Sequence, residues 1–371
     1  MKSILSVGMD VHKNSFSLCA YDGYTGEIVS ESTFASDVKL VIKFIEALKS
    51  RYENDVEIKC GYEAGCLGYS LYKLLTARGV DCVILAPTTM QVSAKNKIVK
   101  NDRMDALNIA KNLASGSYKT VYIPDEEDVE IKEYIRMIHD FKKELKRVKQ
   151  EICAFVLRHG YQYDGKSKWT IRYMNWIREL EMSEIQRETL NEYIAEMENL
   201  NDKINRFMNR IDEMYQSERY HEKVSKLRCF KGIETFAAMT IQVETADFER
   251  FPSAKAYASY TGLTTGEHSS GDKNNRIGIT KQGNTVIRKT LVECAQSLVK
   301  GNVYAKKSQG LKSRQKGMDV NIIAYADKAT ERLKKKYQKL IERNVPRNKA
   351  IVAVARELAC FIWGMETGNI H

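Results

Sequence analysis

ILSVGMDVHKNSFSLCAY, residues 4–21, alternates apolar and polar side chains with a period of two, the pattern of a strand that buries one face. Leu5, Val7, Met9 and Val11 share one face, and Ile4, Ser6, Gly8 and Asp10 share the other. The pattern predicts one strand from Ile4 to Tyr21. Asp22-Gly23 with Gly26 then turns the chain into a second strand, Glu27 to Phe34. Val38, Val41, Ile42, Ile45 and Leu48 recur at helical spacing. A strand (Val56 to Tyr62), a helix (Tyr69 to Ala77, stopped by Gly79) and a strand (Asp81 to Leu85, closed by Pro87) follow, and a last helix carries Lys97 through Leu113. Over residues 1–125 this predicts an α/β layer around a mixed sheet.

Residues 126–225 are nearly free of Gly and Pro and rich in Glu and Lys. Ile131, Ile135, Ile138, Leu145 and Ile152 recur at three-four spacing, as do Leu190, Ile194, Met197, Ile204, Met208, Ile211 and Tyr215, with Asn201 in the same seam. The break at 160–169 predicts two long helices that form a coiled-coil hairpin or a dimer arm. Residues 226–371 open with Phe230-Lys231-Gly232-Ile233, pass through Gly262, Gly266, Gly271, Gly278 and Gly283, and end in basic helices. This part is expected to be mainly α-helical.

The 371 residues carry a net charge of +11, with 43% hydrophobic and 29% charged side chains. The charge is concentrated: between Ala254 and Ala350 there are 21 lysines and arginines against 7 acids. An excess confined to one region, running through Gly- and Ser-containing loops, is the footprint of a polyanion partner. No apolar run approaches a membrane span. The eight cysteines have no C-x-x-C spacing and fit small buried hydrophobes in a reducing cytosol.

Four carboxylates stand out. Asp10 sits in an otherwise apolar strand, where an ionised group is costly unless paired or metal-bound. Glu63 follows the strand ending at Tyr62, and Asp102 and Asp105 share one helix face. In a mixed sheet with the first strand central, the four would converge and suit two hard divalent cations. In the C-terminal part, Ser269-Ser270-Gly271 lies among Lys273, Arg276, Lys281 and Arg288, cations suited to phosphate. Nothing within 262–288 offers a triad to activate a serine hydroxyl, so activation would come from elsewhere. Trp169 and Tyr161/Tyr163 serve either as packing at a helix connection or as platforms for unpaired bases.

Gly8-Met9-Asp10-Val11-His12-Lys13, Tyr62-Glu63-Ala64-Gly65 and Lys100-Asn101-Asp102-Arg103-Met104-Asp105-Ala106 resemble the RNase H-like (RuvC-like) domain of DEDD insertion-sequence transposases, relatives of the Piv DNA invertase. Phe248 to Phe251, Tyr257 to Leu263, His268 to Gly271, Ile279 to Gly283 and Arg288 resemble that family's C-terminal domain, so the likeness covers essentially the whole chain. It implies a RuvC-like domain (1–125), a coiled-coil insert (126–225) and a C-terminal transposase domain (226–371). It implies Mg²⁺, or Mn²⁺, on Asp10, Glu63, Asp102 and Asp105, and a serine that joins covalently to DNA. Ser270 matches that serine, with Ser269 the neighbouring candidate. It also implies donor and target DNA, a structured non-coding guide RNA (bridge RNA) and a dimer or tetramer in which one subunit's metal site completes another's serine site. A bacterial cytoplasmic protein, at the nucleoid when acting, is the corresponding location. Relatives carry Pro before and a second Gly after the glycine of a phosphate-binding turn. Here Lys231 and Glu234 flank Gly232, so Lys231 would supply a point charge instead. The rival expectations are a metal-dependent, structure-selective endonuclease such as a junction resolvase, which needs no serine, and a non-catalytic nucleic-acid scaffold.

Overall fold

A computed structural model describes residues 3–53, 55–91, 101–267 and 276–370. The chain forms two compact units, Met1–Ile123 and Pro124–His371.

The first unit is built on a five-stranded sheet. Strands β1 (Ser3–Val11), β2 (Ser15–Asp22), β3 (Ile28–Ala35), β4 (Val56–Glu63) and β5 (Asp81–Leu85) lie in the order β3-β2-β1-β4-β5. The β1/β2 and β2/β3 pairs are antiparallel, and β1/β4 and β4/β5 are parallel. The alternation over 4–21 is therefore two strands, not one. A short polar turn, His12-Lys13-Asn14, reverses the chain and is closed by the His12 amide on the Ser15 carbonyl at 2.9 Å. It contains neither Gly nor Pro, and the apolar period resumes on its far side, so the pattern alone conceals it.

Leu5, Val7 and Met9 are fully buried against Val41, Ile45 and Leu48 of α1 (Val38–Arg51) and Leu71 and Leu75 of α2 (Ser70–Thr76). The opposite face carries Ser6, Gly8 and Asp10 and receives α3 (Asp102–Ser115). Helix and strand approach closely because position 8 is glycine: a Cβ there would lie 2.2 Å from the Ala106 carbonyl oxygen and 2.3 Å from the Ala110 nitrogen. The helix starts later than its periodicity suggests. Asn101 caps it by accepting from the Met104 amide at 2.9 Å, and 92–100 lie outside the described residues.

In the second unit, α4 (Glu126–Arg158) and α6 (Glu184–Tyr215) are each about 50 Å long and pack on one another within the chain. The pairing is antiparallel: Val148 and Ile152 share a core with Leu190, Ile194 and Met197, whereas Ile131, Ile135 and Ile138 share another with Ile211 and Tyr215. A short helix absent from the sequence reading, α5 (Ile171–Glu179), adds Tyr173 and Ile177 to the former core. Ser183 and Gln186 form a reciprocal cap that starts α6.

The remainder is mostly helical: α7 (Glu218–Arg228), α8 (Thr235–Thr245), α9 (Ala254–Tyr260), α10 (Thr285–Leu298), α11 (Gln309–Gln315), α12 (Val320–Glu342) and α13 (Arg347–Glu366). Among the described residues one antiparallel strand pair interrupts it, β6 (Thr265–Glu267) with β7 (Arg276–Ile279). Helix α13 runs through the core with Ile351, Val354, Leu358 and Ile362 buried, so the last helix is structural more than basic. No helix among the described residues is long and apolar enough to cross a membrane.

Candidate active site

Asp10 lies near the end of β1, the central strand, on the face that α3 covers. Met9 pairs with Tyr62 on β4, so Asp10 and Glu63, each one residue further on, reach the same level of two adjacent parallel strands. Side chains at equal positions of a parallel pair point to one face. Asp10 is largely enclosed, and its Oδ2 is shut from solvent and, among the described residues, receives no hydrogen bond. Glu63 is exposed where β4 ends.

Asp102 and Asp105 occupy the first turn of α3, where the helix dipole stabilises negative charge. Both carboxylates act on Asp10: burial first, and then these two neighbours, push its carboxyl above the usual range, against an opposing pull from His12. The turn is tied down by Arg103, next to Asp102, which pairs with Glu31 of β3.

His12 is the residue that sequence reasoning left without a role. Its Nε2 lies 3.2 Å from Asp10 Oδ2, close but without the alignment of a hydrogen bond, and 3.7 Å from Asp102 Oδ1. Donor atoms of Asp10, His12 and Asp102 all lie within 4.8 Å of one another. The signal was available: residues 10 and 12 are two apart, and a period of two puts them on one side of an extended segment.

This arrangement fits a cation. A carboxylate oxygen enclosed with no well-aligned donor costs about 1–3 kcal/mol or more when charged; His12 offsets part of that cost, and the two further carboxylates acting on Asp10 raise it. A hard divalent ion relieves both. Its oxygen-rich donor set, with one imidazole at the rim, matches what such ions take.

In the second unit, Ser269, Ser270, Gly271 and Lys273 lie outside the described residues, between β6 and β7. Arg276 starts β7. Lys281 is exposed and adopts φ 57°. Gly283 follows at φ 115°, where a Cβ would lie 2.0 Å from the Tyr260 carbonyl oxygen. That crossing of 260–264 with 280–284 anchors the foot of the hairpin, with Thr280 N on Thr264 O at 2.8 Å and Asn284 N on Tyr260 O at 3.1 Å. Arg288 Nη1 donates to the Thr261 carbonyl at 3.2 Å. Lys231 donates to the Lys300 carbonyl, and burial together with Lys334 lowers its pKa to about 8.

Beneath the hairpin lies a second residue that sequence reasoning missed. Glu244, a lone acid in the apolar run of α8, has a fully enclosed side chain that meets Arg136, Lys132 and Asn284. A charge inside an apolar helix was the available signal.

Residues 224–309 match the family described as Transposase IS116/IS110/IS902 family, and residues 7–160 match the IS110-type DEDD family described as Transposase. A putative transposase, y4qE, of Sinorhizobium fredii is 31% identical over 366 residues, spanning 97% of this chain and 87% of its own. The transposase for insertion sequence element IS1533 of Leptospira borgpetersenii is 31% identical, spanning 92% and 97%. That for IS1111A of Coxiella burnetii is 23% identical, spanning 88% of each. The acidic cluster falls inside the 7–160 match and the serine pair inside the 224–309 match. The chain belongs to the IS110 family of DEDD transposases, enzymes that act on DNA.

Proposed function

We propose that this transposase cuts and exchanges DNA strands with Asp10, Glu63, Asp102 and Asp105 holding Mg²⁺ or Mn²⁺ and with Ser270 as the nucleophile. The observation that carries this reading is the enclosed Oδ2 of Asp10, without a hydrogen bond among the described residues and acted on by the carboxylates of Asp102 and Asp105 at the end of the central strand. The order β3-β2-β1-β4-β5, with antiparallel and parallel halves, supports an RNase H-like (RuvC-like) domain.

When bound, the divalent ion neutralises a phosphate and makes its phosphorus easier to attack. The chain's own residues supply the rest. Asp10 is fixed by the sheet, and Asp102 and Asp105 by a capped helix start that Arg103 latches to β3, so the donors are positioned in advance. Ser270 Oγ forms a bond to phosphorus while a phosphorus–deoxyribose oxygen bond breaks. The serine proton leaves to solvent, and the freed sugar oxygen takes one up. Attack by a hydroxyl of the other strand reverses the sequence and releases the serine. One ester replaces another, so no external energy source is required. Lys273, Arg276, Lys281 and Arg288, near Ser270 in the sequence, serve as phosphate partners, with Lys231 a further cation of the same unit.

The family resemblance supports a structured guide RNA that selects donor and target DNA, and a dimer or tetramer in which one subunit's acidic cluster meets another's serine. The three-region division (1–125, 126–225, 226–371) belongs to the same reading. The test is strand exchange with purified protein, guide RNA, cognate DNA and Mg²⁺. Asp10→Asn and Ser270→Ala each abolish exchange; full activity in Asp10→Asn defeats the proposal. Normal cutting by Ser270→Ala, with no covalent species in the wild type, would instead assign a junction-resolvase type of endonuclease.

A further inference from the structure

A cavity of about 790 Å³ lies between the far half of α4 and the connection that carries α5. Among the described residues, four lysines and five aromatic rings line it and no carboxylate does, which makes it attractive to a flat, negatively charged ligand. Lys142, Lys146 and Lys149 stand four and three residues apart on one face of α4, spread over about 10 Å of the helix axis. Elsewhere on the helix Arg147 is neutralised by Glu144 and Glu151 at 2.7 and 2.6 Å. Among the described residues, Lys146, Lys149 and Lys168 have no such carboxylate partner. Lys142 is turned onto the Phe236 ring and takes no part.

The rings pack into one cluster in which Tyr173 is buried and Trp169 half-buried. Trp169 adopts φ 66°, a left-handed conformation that a bulky residue holds only when its surroundings impose it. Tyr173 meets its indole at 5.1 Å between centroids, and the Lys149 ammonium stands over the ring at 5.3 Å. Tyr163 and Trp176 lie 5.1 Å apart behind it. Trp169 is half-buried, and a cation resting on the open part of its indole marks a face that a base can occupy while the cation moves to the adjoining phosphate.

We propose that this cavity binds unpaired nucleotides, with a base stacked on Trp169 and phosphates held by Lys146, Lys149 and Lys168. The inference rests on the reading above only in taking nucleic acid as the partner. RNA and DNA share this chemistry. An acidic peptide would satisfy the lysines but leave the aromatic face without a matching partner.

The full-length protein is irradiated with a short unstructured oligouridine and, separately, with the matching oligothymidine. Crosslinked peptides are mapped, and affinity is read by anisotropy. Crosslinks fall within 161–176, and the Lys149→Glu/Lys168→Glu double variant loses them and binds about tenfold more weakly, with an unchanged circular dichroism spectrum. Trp169→Phe retains most of the binding and Trp169→Leu loses it. Crosslinks to the RNA alone, the DNA alone or both support the site and identify the strand. Absence of crosslinks there with either oligonucleotide, or an unchanged affinity in the double variant, overturns it. The latter results include the case in which a protein surface covers the cavity. Asp10→Asn retains these crosslinks while losing strand exchange, so failure of this site and failure of the catalytic reading are read separately.

Discussion

Asn284 Nδ2 donates to Glu244 Oε2 at 2.7 Å, while Asn284 Oδ1 accepts from the amides of Val286 and Ile287. One enclosed carboxylate therefore holds the residue that starts α10, directly after Lys281-Gln282-Gly283. The same carboxylate meets Arg136 Nε at 2.9 Å and Lys132 Nζ at 3.4 Å, both on α4. The long helix, α8 and the foot of the β6–β7 hairpin are thus joined through a single acid.

Glu244→Gln leaves Lys132 and Arg136 without their shared anion. Breaking a buried pair by removing one partner costs about 3–5 kcal/mol, so thermal denaturation shows a lower midpoint by several degrees. Burial pushes this carboxyl up, but Arg136, Lys132 and Asn284 outweigh it and hold it below its ordinary value of 4.5. A lowered folded-state pKa gives stability that is present above 4.5 and lost as pH falls through the folded value. The variant lacks that acid-side loss. Equal midpoints for the two proteins at neutral pH contradict the assignment.

Glu366 behaves in the opposite sense. Burial raises its pKa to about 8, against weaker pulls from Lys226 and Lys223, and its Oε1 is enclosed with no hydrogen bond among the described residues. The folded state therefore holds a proton that the unfolded chain releases near 4.5, and stability declines as pH rises from there to about 8. Glu366→Gln removes the decline. Its melting midpoint exceeds that of the wild type by a margin that widens across this window, and a constant margin speaks against the burial argument.

Gly8→Val forces a side chain where a Cβ alone would lie 2.2 Å from the Ala106 carbonyl oxygen. The obstacle is helix backbone, which cannot swing aside as a side chain can. Helix α3 must move off the sheet, taking Asp102 and Asp105 away from Asp10. Overpacking of this kind costs about 1–3 kcal/mol or more. Strand exchange falls to background, while limited proteolysis shows the second unit still folded. Retained activity would refute the close approach.

Asp10→Asn removes the enclosed charge at the centre of the carboxylate cluster. Without metal, the variant melts at or a few degrees above the wild-type midpoint, because repulsion from Asp102 and Asp105 is relieved. Added Mg²⁺ or Mn²⁺ raises the wild-type midpoint and leaves the variant unmoved. His12→Ala weakens the response to Mn²⁺ more than that to Mg²⁺, since an imidazole suits the softer ion. Calorimetric titration checks both, and equal metal responses in Asp10→Asn and wild type tell against the cluster as a cation site.

The alternation over residues 4–21 revealed the buried face of the sheet and the oddity of Asp10, because period-two burial is local information. It hid the reversal at His12-Lys13-Asn14, since a short polar turn that keeps the apolar phase looks like continued strand. By contrast, Asp22-Gly23 with Gly26 was legible as a turn because glycine there carries the signal. The seams of α4 and α6 could be read from three-four spacing. That they close on each other within one chain depends on the connection, where α5 adds a core that no periodicity announces. The contacts of His12 with Asp102 and of Glu244 with Asn284 went unread for the same reason: each pair lies far apart in the sequence, and only folding brings its members near. Ser270 stands apart from this comparison, lying between β6 and β7 outside the described residues.

The most direct test takes the protein with the proposed guide RNA, cognate DNA and Mg²⁺, denatures the reaction during exchange, digests protein and DNA, and identifies by mass spectrometry any amino acid esterified to a nucleotide. A phosphoester on Ser270, absent from Asp10→Asn and from Ser270→Ala, is the predicted result. An ester on another residue, or an undiminished adduct in either variant, contradicts the joint action of the acidic cluster and this serine on one phosphate.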